Sequence, residues 1–141
     1  MEDNKVVRFG VSIRKKLFDA FEEFMRKKGY TKRSKAIRDL MRKAILEEAW
    51  KEEKGAITAA VIIIYNHEKP SLTDKIVDIQ HNYLDEVLFS SHLHVSKLNC
   101  MEIIALRGEV KRIQEFAKEF LRLRGVKLVK VVPSTTGEDV I

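Results

Sequence analysis

The stretch AITAAVIIIY, residues 56–65, is the longest nearly unbroken apolar run in this 141-residue chain. Its isoleucine and valine content favours a buried strand, and it is far too short to cross a membrane as a helix. The N-terminal residues, MEDNKVVRFG, lack the apolar core of a signal peptide. We therefore expect a cytoplasmic protein with no membrane association, built around a central strand at this position.

Two helices are predicted on the C-terminal side of this strand. Ser71 and Asp74 form a capping-box pattern, which predicts a helix that continues to about His81. A second amphipathic pattern begins at Val110, and Gly125 stops it. Both patterns place apolar side chains on one face, so both helices are expected to pack on a sheet.

Three further strands are predicted between and after these helices. Residues 87–96 and 101–107 form a hairpin pattern that Gly108 ends, and residues 126–132 form a last strand before Pro133. The resulting order is β-α-β-β-α-β, which is the ferredoxin-like or split βαβ arrangement. We therefore predict an α+β protein, with this domain at residues 55–133 and a loose tail at 134–141.

On the N-terminal side, the segment VVRFGVSI, residues 6–13, alternates strictly and predicts a half-buried strand. Two helical patterns follow, one at about 14–28 with Gly29 as its left-handed cap and one that Thr31 begins. One strand on two helices buries little and leaves both strand edges unpaired, so a second copy is the expected partner. Residues 1–54 are therefore predicted to be an obligately dimeric domain.

The positive charge of the chain is concentrated in this N-terminal domain. Residues 1–54 contain 16 Lys and Arg against 10 Asp and Glu, whereas residues 55–141 contain 11 of each class. The whole net charge of +6 therefore belongs to the first third of the sequence. An excess confined to one domain indicates a polyanionic partner rather than a general compositional habit.

The predicted ribbon and the basic helix start form a candidate DNA interface. An antiparallel ribbon from two copies fits the major groove, where arginine can read guanine and serine can bond to either kind of base edge. The start of the second helix favours phosphate. The alternative is a dimerisation arm with ordinary solvated charge. The candidate DNA-binding residues are Arg8, Gly10, Ser12, Lys32, Arg33, Ser34 and Lys35.

A separate cluster of potential metal ligands lies in the second domain. His81, His92, His94 and Cys100 fall within 20 residues, and Cys100 is the only cysteine. His92 and His94 are two apart on a predicted strand, so both rings point to one face, and Cys100 follows across a short turn. Three imidazoles and a thiolate suit Zn, Cu(II) or Ni(II). His81 ends a helix and need not reach the same point within one subunit.

Catalytic alternatives for these residues are less favoured by the pattern. A Cys-His nucleophile would need an orienting third residue that the sequence does not reveal. His67 and Glu68 begin a possible zincin motif, but Ser71 stands where its second histidine is required. His67 is therefore predicted to be structural or peripheral, and no enzymatic activity is expected.

Three motifs resemble the nickel-responsive transcriptional regulator family (NikR). They are KGYTKRSKAIRD at 28–39, YNHEK at 65–69, and the Gln80 to Cys100 segment with the pattern QH-x10-H-x-H-x5-C. The resemblance extends from Val6 to Val132 and implies a ribbon-helix-helix DNA-binding domain followed by an ACT-like domain. It also implies a nickel-dependent repressor of nickel-uptake genes that binds a two-fold symmetric operator in double-stranded DNA.

The resemblance further implies a homotetramer, a dimer of dimers with the ACT-like domains at its centre. One Ni²⁺ per subunit would occupy a square-planar site, with His92, His94 and Cys100 from one chain and His81 from its neighbour. Gly10 replaces a polar residue of some relatives and reduces the expected base contacts. Lys35 replaces an acid that, with the residue matching Asp39, forms a second cation site in relatives, so that site is expected to be lost.

Two other functions are compatible with the sequence pattern. An ACT-like domain can also belong to a transcriptional regulator that senses an amino acid. A zinc-dependent hydrolase with an open metal position is the third hypothesis. A nickel-thiolate bond absorbs visible light through charge transfer whereas zinc does not, so absorption during metal titration discriminates among the three.

Overall fold

The computed structural model describes residues 5–136, and this part of the chain divides into two compact units within its second helix. The first unit contains α1, Lys15–Lys28, and α2, Arg33–Lys51, of which the residues up to Ile45 belong to this unit. Gly29 adopts φ 81° and ends α1, as predicted, because its left-handed conformation lets its amide donate back to Arg26.

The strand predicted at residues 6–13 is not formed in the single chain. Residues 5–14 carry neither helix nor strand, and Val7, Phe9 and Val11 are 79%, 71% and 72% exposed. A strand is defined by its hydrogen-bonded neighbour, and no other described segment pairs with these residues. The prediction of helices is thus confirmed for this unit, whereas the ribbon itself depends on a pairing that one chain cannot supply.

The second unit is a four-stranded antiparallel sheet with two helices on one face. Its strands have the order β2-β3-β1-β4 across the sheet. This confirms the predicted β-α-β-β-α-β order. The elements of this unit are β1, Ala56–Asn66; α3, Leu72–His81; β2, Val87–His94; β3, Asn99–Glu109; α4, Val110–Leu121; and β4, Val126–Pro133.

The core lies between the sheet and these helices because burial alternates along β1 and β3. Odd-numbered residues of β1 and even-numbered residues of β3 are buried, and the register places them on the same face. Apolar side chains from α3 and α4 complete the core. The largest fully buried side chains include Tyr65, Phe116, Phe120, Ile63, Ile76, Ile104, Leu106 and Ile113.

Some predicted details of these elements are wrong. Ser71 precedes α3, but at φ 62° it adopts a left-handed conformation and its side chain makes no cap bond, so the capping box is not formed. Gly108 lies inside β3 rather than at its end, because β3 continues along β1 as far as Glu109. Asn99 and Cys100, predicted as turn residues, begin β3.

The end of the described chain is attached to the sheet rather than loose. Ser134 donates its amide to the Thr58 carbonyl, and the Thr58 hydroxyl donates to the Thr135 carbonyl at 2.6 Å. The rest of the predicted tail, residues 137–141, lies outside the described residues. Among residues 5–136, none of the helices combines the length and apolarity needed to cross a bilayer.

Candidate metal centre

Strands β2 and β3 bring three of the predicted metal ligands together. His94 lies directly opposite Cys100 in the strand register, and His92 is two residues further along β2 on the same face. The ligand atoms of all three residues lie within 4.8 Å of one another. Cys100 Sγ is 3.5 Å from His94 Nδ1. The period of a strand, with a short hairpin turn, therefore creates the site that the sequence pattern predicted.

The three ligands differ in their access to solvent. Cys100 is fully buried in the core, whereas His92 and His94 are exposed because β2 is an edge strand. The sulfur is thus shielded on the protein side, and the imidazoles line the outer side of the site. A fourth ligand can approach from outside the domain.

Tyr65 orients one of the imidazole ligands from within the core. Its hydroxyl lies 3.1 Å from His92 Nδ1, and the two rings meet edge to face. Burial, reinforced by the nearby Glu102 and Cys100, raises the pKa of Tyr65 to about 12, so the hydroxyl stays protonated at neutral pH. Because this contact engages Nδ1 of His92, Nε2 is the nitrogen left to bind a metal.

His67 holds the hairpin turn that joins the ligand-bearing strands. Its backbone amide donates to the Leu98 carbonyl at 3.0 Å, and its Nε2 bonds to the Lys97 carbonyl at 2.7 Å. Its ring also meets the ring of His94 edge to face. The structural role predicted for His67 is confirmed by these contacts, and they bring it next to a ligand rather than to the periphery.

We expect His67→Phe to loosen this turn because the ring is kept while the donor to Lys97 is lost. Amide exchange at Val95 and Ser96 in the metal-free protein should become about 2- to 10-fold faster, the effect of one net hydrogen bond. Hydrogen exchange followed by NMR measures this rate.

The control for His67→Phe is Lys97→Ala, which removes a side chain but leaves the carbonyl acceptor in place. Exchange at the same amides should be unchanged in this variant. Equal exchange in His67→Phe and the wild-type protein would show that His67 does not hold the turn.

The fourth predicted ligand is not brought to the site within one chain. His81 is the exposed last residue of α3, and the cluster among residues 5–136 contains only His92, His94 and Cys100. The neighbouring Gln80 instead turns inward and donates to Glu102 Oε2 at 3.0 Å.

Glu102 is a residue near the site that the sequence analysis missed. At 8% exposure it is the one charged residue in the buried set of the described chain, and it faces His92 across the strand register. Burial raises the pKa of Glu102, while His92 and the bond from Gln80 act in the opposite direction. The available signal was an acidic residue at a core position in the alternating sequence of β3.

The donor chemistry of this cluster fits nickel. One thiolate and two imidazoles are ligands that Ni(II) accepts, together with Zn and Cu(II). The arrangement on an edge strand leaves the outer side open to a further nitrogen ligand. His92, His94 and Cys100 would therefore hold the metal on the protein side.

The predicted DNA-contacting residues lie in the first unit and are all exposed. Arg8, Gly10 and Ser12 belong to the extended N-terminal segment, and the basic residues stand at the start of α2. Arg33 Nε pairs with Glu22 and its guanidinium lies over the Phe18 ring. These exposed contacts leave the basic helix start accessible to a phosphate.

Lys35 is engaged with an acidic residue of the same helix. Its ammonium donates to Asp39 Oδ1 at 2.7 Å, and Tyr30 and Arg42 also bond to this carboxylate. The Lys35 ammonium, followed by the Tyr30 hydroxyl, lowers the pKa of Asp39 below its usual value. Asp39 is thus satisfied by groups of its own chain.

Comparison with known proteins extends the evidence from this centre to the whole chain. A family model described as the NikR C terminal nickel binding domain matches residues 58–133. Proteins assigned as nickel-responsive regulators in Thermococcus onnurineus and Pyrococcus furiosus are 38% and 40% identical to the chain. These alignments span 97% and 96% of this chain and 99% of each relative.

A solved structure gives a likeness of fold alone. An uncharacterized protein from Thermotoga maritima superposes with a TM-score of 0.51 at 16% identity, over 56% of this chain and 98% of its own. The family model and the nearly full-length relatives carry the assignment, and they agree with the ligand cluster in β2 and β3. The chain belongs to the family of nickel-responsive regulators, which are transcriptional regulators rather than enzymes.

Proposed function

We propose that this protein is a nickel-dependent DNA-binding repressor of nickel-uptake genes that acts in the cytoplasm. The observation that carries the proposal is the convergence of His92, His94 and Cys100 in a chain of this family. Bound nickel would supply a centre that ties ligands from different subunits together. A ligand that prefers the DNA-competent form must tighten DNA binding, because the two binding events are thermodynamically linked.

The proposed site holds one Ni²⁺ per subunit and takes its fourth ligand, His81, from a neighbouring chain. Support comes from the exposure of His81 at the end of α3, outside the cluster formed by the other ligands of its own chain. Support also comes from the open outer side of that cluster. A site shared in this way makes the subunit interface part of the metal centre.

The proposed homotetramer is supported by apolar surface that a single chain leaves exposed. On the sheet face turned away from α3 and α4, the register aligns Leu93 with Leu128 and Phe89 with Val132. These four side chains are between 37% and 61% exposed. An apolar sheet face together with the exposed apolar side chains at residues 6–13 is typical of two interaction surfaces, as a dimer of dimers requires.

In the proposed DNA-binding domain, residues 6–13 of two chains pair as an antiparallel ribbon. Arg8, Gly10 and Ser12 then face the major groove, and Lys32, Arg33, Ser34 and Lys35 approach the phosphates. Two such ribbons would read a two-fold symmetric operator. The exposed alternation of residues 6–13, the charge asymmetry of the chain and the exposed start of α2 support this arrangement.

We propose that Lys35 replaces the second cation site expected from the family resemblance. The ammonium of Lys35 and the guanidinium of Arg42 both lie against Asp39, at 2.7 and 3.0 Å. An external cation at this carboxylate would have to displace them.

The function is tested by selecting binding sites from a pool of random DNA duplexes. With nickel, the protein should enrich duplexes that contain a two-fold symmetric sequence, because the metal favours the DNA-competent form. In parallel selections with EDTA, enrichment should be lost. Equal enrichment under both conditions would contradict a nickel-dependent repressor.

Sharing of the site is tested by mixing subunits of two inactive variants. His81→Ala and Cys100→Ala should each lack an intact site. In a mixed pair, the chain that keeps Cys100 can combine with the neighbour that keeps His81, so one of the two shared sites should be restored. Visible absorption of the nickel-loaded mixture measures this recovery, and its absence in verified mixed tetramers would place all four ligands on one chain.

A further inference from the structure

A buried carboxylate beneath the metal centre is not accounted for by the ligand set. Glu102 lies on β3 between Cys100 and Ile104, on the face that packs against the helices. Its exposure is 8%, and burying an acidic group is unfavourable unless neighbouring groups stabilise it. A core position on this strand would be filled more stably by an apolar side chain, so the acid needs a reason.

The neighbours of Glu102 connect it with both parts of the proposed shared site. Across the register it faces His92, and directly opposed residues of antiparallel strands have Cβ atoms about 4.5–5.5 Å apart. From the other side, Gln80 donates to its Oε2 at 3.0 Å. Gln80 precedes His81, the ligand proposed to reach the neighbouring subunit.

We infer that Glu102 is a positioning residue of the metal centre: its carboxylate, held by Gln80, orients His92 and anchors the end of α3 that carries His81. The inference rests on the proposed function for the role of His81, while the orientation of His92 concerns one chain alone. Tyr65 engages Nδ1 of His92 from β1, and Glu102 acts on the same ring from β3. The ligand is thus braced from both inner strands of the sheet.

This arrangement gives the two halves of the site a common support. The three ligands that a chain uses itself and the one it lends to its neighbour are joined through a single bond between Gln80 and Glu102. Partners that lie behind the ligands of a metal site commonly change metal affinity by about 10- to 100-fold when they are removed. We expect Glu102 to have an effect of this size.

The first test replaces the charge and keeps the shape. Glu102→Gln should weaken nickel binding by about 10- to 100-fold and alter the nickel absorption bands. Thermal unfolding of the metal-free protein should not become easier, because the variant removes a buried charge. Glu109→Gln is the matched control, since it makes the same change at an exposed position of the same strand, and it should bind nickel like the wild-type protein.

A second variant separates the charge beneath His92 from the bond to α3. The exchange Gln80→Glu with Glu102→Gln preserves an amide-to-carboxylate bond but moves the carboxylate away from His92. We expect nickel affinity to stay low, as in Glu102→Gln alone. Wild-type affinity in the exchanged protein would overturn the inference, because the bond alone would then suffice.

Two further outcomes decide the inference. If Glu102→Gln lowers the melting temperature of the metal-free protein but leaves nickel affinity and absorption unchanged, Glu102 is merely structural and the inference is wrong. If Glu102→Gln does not fold, Gln80→Ala becomes the test. It should weaken nickel binding several-fold, and unchanged binding would reject the role. Failure of the wild-type protein itself to bind nickel would instead reject the proposed function.

Discussion

Replacing Cys100 by alanine is expected to abolish the visible charge-transfer absorption of the nickel-loaded protein. The absorption arises from a nickel-thiolate bond, and Cys100 is the only cysteine in the chain. Nickel affinity should fall by at least about 100-fold, because even partners behind the ligands change affinity by about 10- to 100-fold. Spectrophotometric titration with competition by a chelator measures both quantities.

The Cys100→Ala result requires a control for folding because Cys100 is fully buried in the core. Circular dichroism of the metal-free variant should match that of the wild-type protein. Ser96→Ala, a change in the adjoining turn outside the ligand set, should retain both the absorption and the affinity. A charge-transfer band of normal intensity in Cys100→Ala would exclude thiolate ligation and contradict the proposed site.

The convergence of the metal ligands was predictable because it depends on local geometry. The period of a strand places His92 and His94 on one face, and a short turn brings Cys100 opposite His94. The order of strands and helices in the second unit was likewise predictable from alternating and helical apolar patterns. In these regions local preference and tertiary packing favour the same conformation.

The contacts behind the ligands were not predictable because they depend on register across several strands. Tyr65 reaches His92 only because β3 lies between β1 and β2, and Glu102 faces His92 only in the observed register. Sequence patterns suggest which residues are buried but not which strands are neighbours. Ser71 fails as a cap for a related reason, since its left-handed backbone conformation is set by the chain around it.

The strand at residues 6–13 presents a different problem. Its alternation is clear in the sequence, yet the pairing that would form the strand belongs to a second chain, so the single chain leaves this segment without strand structure. Apolar side chains at Val7, Phe9 and Val11 are therefore exposed. Whether they form a ribbon is decided by experiments on DNA recognition.

Arg8→Ala is expected to reduce the preference of the nickel-loaded protein for its selected operator over random duplex. Each arginine contact to guanine contributes about 1–3 kcal/mol of discrimination, so the preference should fall by about 10-fold or more. Binding to random duplex should change little in comparison. Fluorescence anisotropy with labelled duplexes at fixed salt measures both affinities, and unchanged discrimination would contradict the proposed position of Arg8 in the major groove.

Lys35→Gln provides the contrast that makes the Arg8 result interpretable. A lysine that contacts phosphate contributes to every sequence alike, so its loss should weaken operator and random duplex equally. It should also flatten the dependence of log affinity on log salt by about one. Because Lys35 also bonds to Asp39, unfolding of this variant must be measured beside binding. Loss of discrimination in Arg8→Ala, with equal weakening in Lys35→Gln, would assign the ribbon to the bases and the start of α2 to the phosphates.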